Sequence, residues 1–121
     1  MGSRKQFYFD VFVTALEGSI GYWACATVYH WTRDKGATED LAGFYAKVVD
    51  AEFEDAFPET MIDAKVIRKG IKAILCDDFR IGKELKADIE RADINNDASY
   101  IDADSADCIV QAGMFGEIVF G

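Results

Sequence analysis

This 121-residue sequence predicts an α+β fold: a small antiparallel sheet of two or three strands covered by about four helices. Three observations carry that prediction. Apolar residues recur at helical spacing in four segments. Two aromatic-rich stretches in the first half alternate with the period of a strand. The order is helix, strands, then three helices, which suits an antiparallel sheet better than a βαβ repeat. Half the residues are apolar and 13% are aromatic, too hydrophobic for disorder despite a net charge of −9. The length fits one domain, residues 1–121, with Met1-Gly2-Ser3 resembling a cloning remnant.

The first helix rests on Tyr8, Val11, Phe12, Ala15 and Leu16, which fall on one face. Phe7, Phe9, Val11 and Val13 also alternate, so a strand competes, but Gly18 suits a left-handed helix cap. Phe9 and Val13 lie off the main face and imply a helix buried on two sides, or a homodimer. A strand is expected from Gly21 to Trp31, rich in β-branched and aromatic residues, with both faces covered. Lys35-Gly36 signals a turn. Phe44 to Phe53 alternates and predicts an antiparallel partner strand, with Phe44, Ala46, Val48 and Asp50 on one side. Met61-Ile62 suggests a short third strand.

Asp63 is a good N-cap for a helix over Ala64–Cys76. Val66, Ile67, Ile71 and Ile74 face inward there, and Lys65, Arg68, Lys69 and Lys72 form the other face. Residues 80–92 place Ile81, Leu85 and Ile89 at helical spacing. After a polar loop over Asp93–Asp102, Asp102 or Asp104 caps a last helix that ends at Gly116.

Several chemistries are excluded or weakened. No apolar run approaches the roughly 20 residues that span a bilayer, and no signal peptide is visible. Three widely spaced cysteines, Cys25, Cys76 and Cys108, are expected to be reduced core thiols. His30 is the only histidine and sits in the aromatic strand, where a structural imidazole is the ordinary role. Zinc and nucleotide-phosphate signatures are absent, and no cofactor is expected. Asp93 to Asp104 has the outline of a calcium loop, with oxygen side chains at its first, third and fifth positions and an acid at its twelfth. Ala98 stands where a glycine is needed, however, and Asp104 where a glutamate is usual. A polar loop with an N-capped helix explains the same residues.

Two stretches are familiar together. Thr14–Trp23, TALEGSIGYW, resembles a TALEGG-x-x-YW stretch in small uncharacterised bacteriophage proteins. Residues 102–121, DADSADCIVQAGMFGEIVFG, resemble the way many of those proteins end, and Ile62–Ile74 resembles their middle helix. The resemblance implies a phage accessory protein acting in the cytoplasm of an infected bacterium. It implies no activity and no catalytic residue.

Charge is the broadest functional signal. Between positions 88 and 107 lie Asp88, Glu90, Asp93, Asp97, Asp102, Asp104 and Asp107, opposed only by Arg91. A second cluster includes Glu52, Glu54 and Asp55. Such acids argue against direct nucleic-acid or membrane contact. They suit a basic protein partner, and carboxylates arrayed like phosphates can occupy a nucleic-acid-binding groove. Solubility is the ordinary explanation of an acidic surface. With the phage resemblance, the leading expectation is a non-enzymatic inhibitor of a host or defence-system protein, anti-restriction or anti-CRISPR in kind. The acids would make the contact, and aromatics near Tyr22–Trp31 would anchor it. The alternative is a small-ligand or nucleotide binder, using a pocket between the aromatic strand and the basic helix.

Overall fold

The computed structural model describes residues 4–30, 43–52 and 55–121, apart from the side chain of Tyr29. Trp31, the Lys35-Gly36 turn and Glu54 lie outside the described residues. The chain runs α1 (Arg4–Gly18), a 3₁₀ turn (Ile20–Tyr22), β1 (Ala24–His30), β2 (Tyr45–Asp50) and β3 (Thr60–Asp63). It continues through α2 (Ala64–Ile74), α3 (Lys83–Asn95), a second 3₁₀ turn (Ala98–Tyr100) and α4 (Ala103–Phe115). The fold is α+β, with one antiparallel sheet in the order β1-β2-β3.

α1 is a helix, and it is buried on more than one side: Phe7, Phe9, Val11, Phe12 and Ala15 are all inside. Phe12 and Phe9 pack on Phe44 at ring distances of 4.6 and 5.5 Å, which seats the helix against the start of β2. Gly18 is the last helical residue and does not take the left-handed conformation expected of it; among the described glycines only Gly116 and Gly121 have a positive φ. The sheet's inner face is Ala24 and Asp50, Val48, then Ala46 and Ile62, all buried. Each fully buried Ile or Phe contributes about 1.5–3 kcal/mol relative to exposure.

The expectation that both faces of β1 are covered is corrected. Cys25, Thr27, Val28 and His30 are exposed, and a bulge between Ala26 and Val28 breaks the alternation. Among the described residues β1 is an edge strand, with one hydrogen-bonding flank unpaired by a neighbouring strand. Trp23 precedes the strand and is buried at 2% exposure, because it closes the 3₁₀ turn and points into the core. Cys25 and Cys76 are exposed rather than core thiols. Cys25 is on the open sheet face, and Cys76 follows the end of α2.

α4 is the centre of the molecule. Ser105 to Gly113 is buried apart from the half-buried Cys108. α1 and α2 both pack on it, and the α2 crossing is set by two glycines. A Cβ on Gly70 would overlap the Ile109 carbonyl, and one on Gly113 would overlap the Val66 carbonyl. The backbones touch, which only glycine allows. α2 keeps its helix start through Asp63, whose carboxylate accepts from the Val66 N–H at 3.0 Å. Its inward residues Ile67, Ile71 and Ile74 are buried, and Lys65, Arg68, Lys69 and Lys72 are exposed, as the periodicity predicts.

Candidate functional site

The acids of α3 and of the entry to α4 are each placed by local structure. α3 stops at Asn96, which takes a left-handed conformation (φ 54°) that asparagine tolerates. Asp97 then turns its carboxylate onto the Ser99 N–H at 2.9 Å and starts the second 3₁₀ turn. Those hydrogen bonds from Ser99 hold the Asp97 carboxyl below its ordinary range. Ile101 is buried and pins the segment. Asp102 caps α4 by accepting from the Ser105 N–H at 2.8 Å. Asp104 is in the first helical turn, where the helix dipole favours an anion.

Glu90, Asp97, Asp102 and Asp104 are exposed. Asp88 and Asp93 are half-buried and already hold cations: Arg91 lies 3.3 Å from Asp88, and Arg4 lies 2.6 Å from Asp93. Arg4 also donates to the Asp93 carbonyl, to Asn96 and to the Tyr8 hydroxyl, tying α1 to the end of α3. Two apolar side chains stand out beside these acids. Ile94 is 74% exposed in the last turn of α3, and Tyr100 is 39% exposed with Arg91 5.5 Å over its ring. Protein contacts combine a buried apolar centre with a polar rim, which bare charge does not supply. Ile94 and Tyr100 were missed in the sequence. Ile94 falls off the Ile81-Leu85-Ile89 face, and that break in periodicity was the available signal.

Asp107 is corrected as a contact residue. It is 8% exposed, and its carboxylate is fully engaged inside. Trp23 Nε1 donates to Oδ1 at 2.8 Å, Gln111 Nε2 to the same oxygen at 2.9 Å, and the Tyr22 hydroxyl to Oδ2 at 2.7 Å. Gln111 completes the network by accepting from the Val119 and Phe120 N–H groups at 2.8 and 2.7 Å. It thereby holds the last residues where Phe120 stacks on Trp23 at 5.1 Å. Burial, then the neighbouring Asp107, pushes the Tyr22 hydroxyl up to about 12. Burial first, and then Asp107, Asp104 and Asp102, push the Cys108 thiol up to about 11, so it is a poor nucleophile. Trp23 therefore serves the fold, whereas Tyr22 is 55% exposed and ties only its hydroxyl to Asp107.

Glu52 and Asp55 are exposed but stand elsewhere, after β2. Trp23, whose carbonyl accepts from Ala51 N–H, packs between that segment and α4. The calcium-loop outline is not formed. Asp93 and Asn95 are helical, their side chains are turned to Arg4 and to the Arg91 carbonyl, and no metal-holding group of three acids, histidines or cysteines occurs among the described residues. His30 is exposed and stacks on Tyr45 at 5.3 Å. The hollow lined by Lys65, Arg68, Lys69 and Lys72 of α2 has no lining residue from β1. No helix of the described residues is long and apolar enough to cross a membrane. Comparison with protein-family models, with curated proteins and with solved structures finds no match to this chain.

Proposed function

We propose that the chain is a non-enzymatic phage accessory protein that binds a basic surface of a host or defence-system protein and inhibits it in the bacterial cytoplasm. An anti-restriction or anti-CRISPR target with a nucleic-acid channel fits the charge. The observation that carries the reading is that Glu90, Asp97, Asp102 and Asp104 are exposed on α3, on the second 3₁₀ turn and at the start of α4, with Ile94 and Tyr100 exposed on the same elements. Carboxylates there steer a basic partner, and the two apolar groups give it something to bury. The contact residues are narrowed to those groups: Asp107 is inside, and Asp93 is held by Arg4.

The test is capture from bacterial lysate with wild type and with a variant carrying Glu90→Gln, Asp97→Asn, Asp102→Asn and Asp104→Asn. The amides keep both caps, so the variant is expected to melt like wild type while losing the captured protein. Competition of that capture by duplex DNA supports occupation of a nucleic-acid channel. Unchanged capture by the folded variant overturns the electrostatic reading.

A further inference from the structure

The acidic patch has a counterpart on the same molecule. Lys65, Arg68, Lys69 and Lys72 occupy one exposed face of α2, and that helix carries no carboxylate. In a chain with 22 acids and 13 bases, none of these four cations makes an ion pair among the described residues. They line a shallow hollow of about 340 Å³ by themselves. Arg68 and Lys72 also border the hollow that contains Asp93, whose carboxylate is taken by Arg4 instead. Lysines on a solvated helix are normally interleaved with acids; this face is of one sign.

The size of the face decides what suits it. Seven steps of 1.5 Å, from Lys65 to Lys72, give a stripe of about 10 Å. An extended polyanion would run past it over a surface whose net charge is −9, and four contacts give little affinity. A second copy of the chain offers carboxylates concentrated in one stretch of the sequence. From Ala92 to Gly121 there are six acids and no base, and the exposed ones at Asp97, Asp102 and Asp104 adjoin exposed Tyr100.

We propose that the basic face of α2 docks against the acidic patch of a second copy. The two surfaces lie on different elements, so the contact joins unlike faces. It either closes reciprocally in a dimer or repeats. The same carboxylates are those assigned above to a basic partner, and the self-contact stands whether or not that partner exists.

Light scattering on the full chain tests this. At about 0.05 M salt, wild type is expected to show more than one chain per particle. At about 1 M salt, where screening reaches about 3 Å, it is expected to show one. A variant with Lys65→Glu, Arg68→Glu, Lys69→Glu and Lys72→Glu is expected to associate at least about tenfold more weakly. So is a second variant with Glu90→Lys and Asp104→Lys. Mixing the two is expected to restore association, since the unaltered α2 of the second then meets the unaltered acidic patch of the first. Lys69→Glu alone, with the salt titration of wild type, keeps the test open should the fourfold change not fold. Wild type running as a single chain at low salt and high concentration overturns the proposal. So does association indifferent to both reversals. Binding of a labelled duplex that needs α2, with the chain itself monomeric, also overturns it and assigns the face to nucleic acid. None of these α2 results touches the lysate experiment, whose variant leaves α2 intact.

Discussion

The two ends of α4 make different uses of polar residues. At its start, Asp102 and Asp104 are exposed and their charge is largely left to solvent. One to two turns later, Asp107 and Gln111 are inside, and their oxygens accept five hydrogen bonds from named donors. The lesson is that an aspartate's neighbours in space, not its neighbours in sequence, decide whether it is a contact or a strut. Thr14–Trp23 and residues 102–121 meet in the second environment: Trp23 and Tyr22 bind Asp107. Those stretches therefore close the chain on itself, and the candidate contact groups Glu90 and Ile94 lie outside them.

The sharpest way to break that comparison is at the helix crossing that holds α4 in place. Gly113→Ala or Gly70→Ala drives a methyl into a backbone carbonyl of the facing helix. Helix propensity alone would make either change favourable by about 1 kcal/mol. The overlap is with backbone and must move one helix, so a net loss of about 3 kcal/mol or more is expected. Urea melts read it; a variant as stable as wild type would falsify the close crossing.

The next effect is the removal of the strut. Asp107→Ala leaves the Trp23 indole N–H without its acceptor and leaves Gln111 Nε2 and the Tyr22 hydroxyl only the Phe120 carbonyl. Gln111→Ala leaves the Val119 and Phe120 N–H groups unpaired. Each is expected to cost about 2–3 kcal/mol. Asp107→Ala should be destabilising in urea melts while the protein that still folds keeps its partner contact. A binding loss equal to that of Asp104→Asn, in folded protein, would return Asp107 to the patch.

Much of the fold was legible and little of the site was. Tyr8, Val11, Phe12 and Ala15 repeat with a helical period, and Asp63 and Asp102 precede apolar helical runs, so those elements and caps follow from local physics. The strand partners Phe44, Ala46, Val48 and Asp50 alternate and are all buried. What failed depends on distant contacts. Asp107 looks like any other acid until Trp23, 84 positions earlier, puts its indole N–H on it. β1 looks covered on both faces because Cys25, Thr27 and Val28 adjoin aromatics, and only the strand order makes it an edge. The charge pattern of α2 was readable, but that its cations make no ion pair among the described residues was not.

Alkaline pH gives a weaker probe of the same strut. Tyr22 is raised from an ordinary 10 to about 12, and Cys108 from about 9 to about 11. Both are neutral when protonated, and the fold favours that form. Their contribution is complete below about pH 9, falls as each unfolded-state group ionises, and is gone once the folded groups do, near pH 11–12. Stability should therefore fall across that window. Tyr22→Phe should flatten its upper part, at the cost of one hydrogen bond at neutral pH. Thiol labelling at neutral pH should modify Cys25 and Cys76 well before Cys108. An equal rate at all three would remove the picture of a shielded α4.

Asp102 belongs to both environments, and it allows the finest separation. Its carboxylate caps α4 and also faces solvent in the acidic patch. Asp102→Ala removes cap and charge together and should cost about 1 kcal/mol. Asp102→Asn keeps an oxygen for the Ser105 N–H and removes only the charge, so its stability should stay within about 0.5 kcal/mol of wild type. If the patch works by charge, both variants weaken the basic partner equally, although only one is destabilised. If Asp102 matters only as a cap, binding follows stability and Asp102→Asn behaves as wild type. The pair thus separates holding α4 from presenting it, at the residue where the two uses meet.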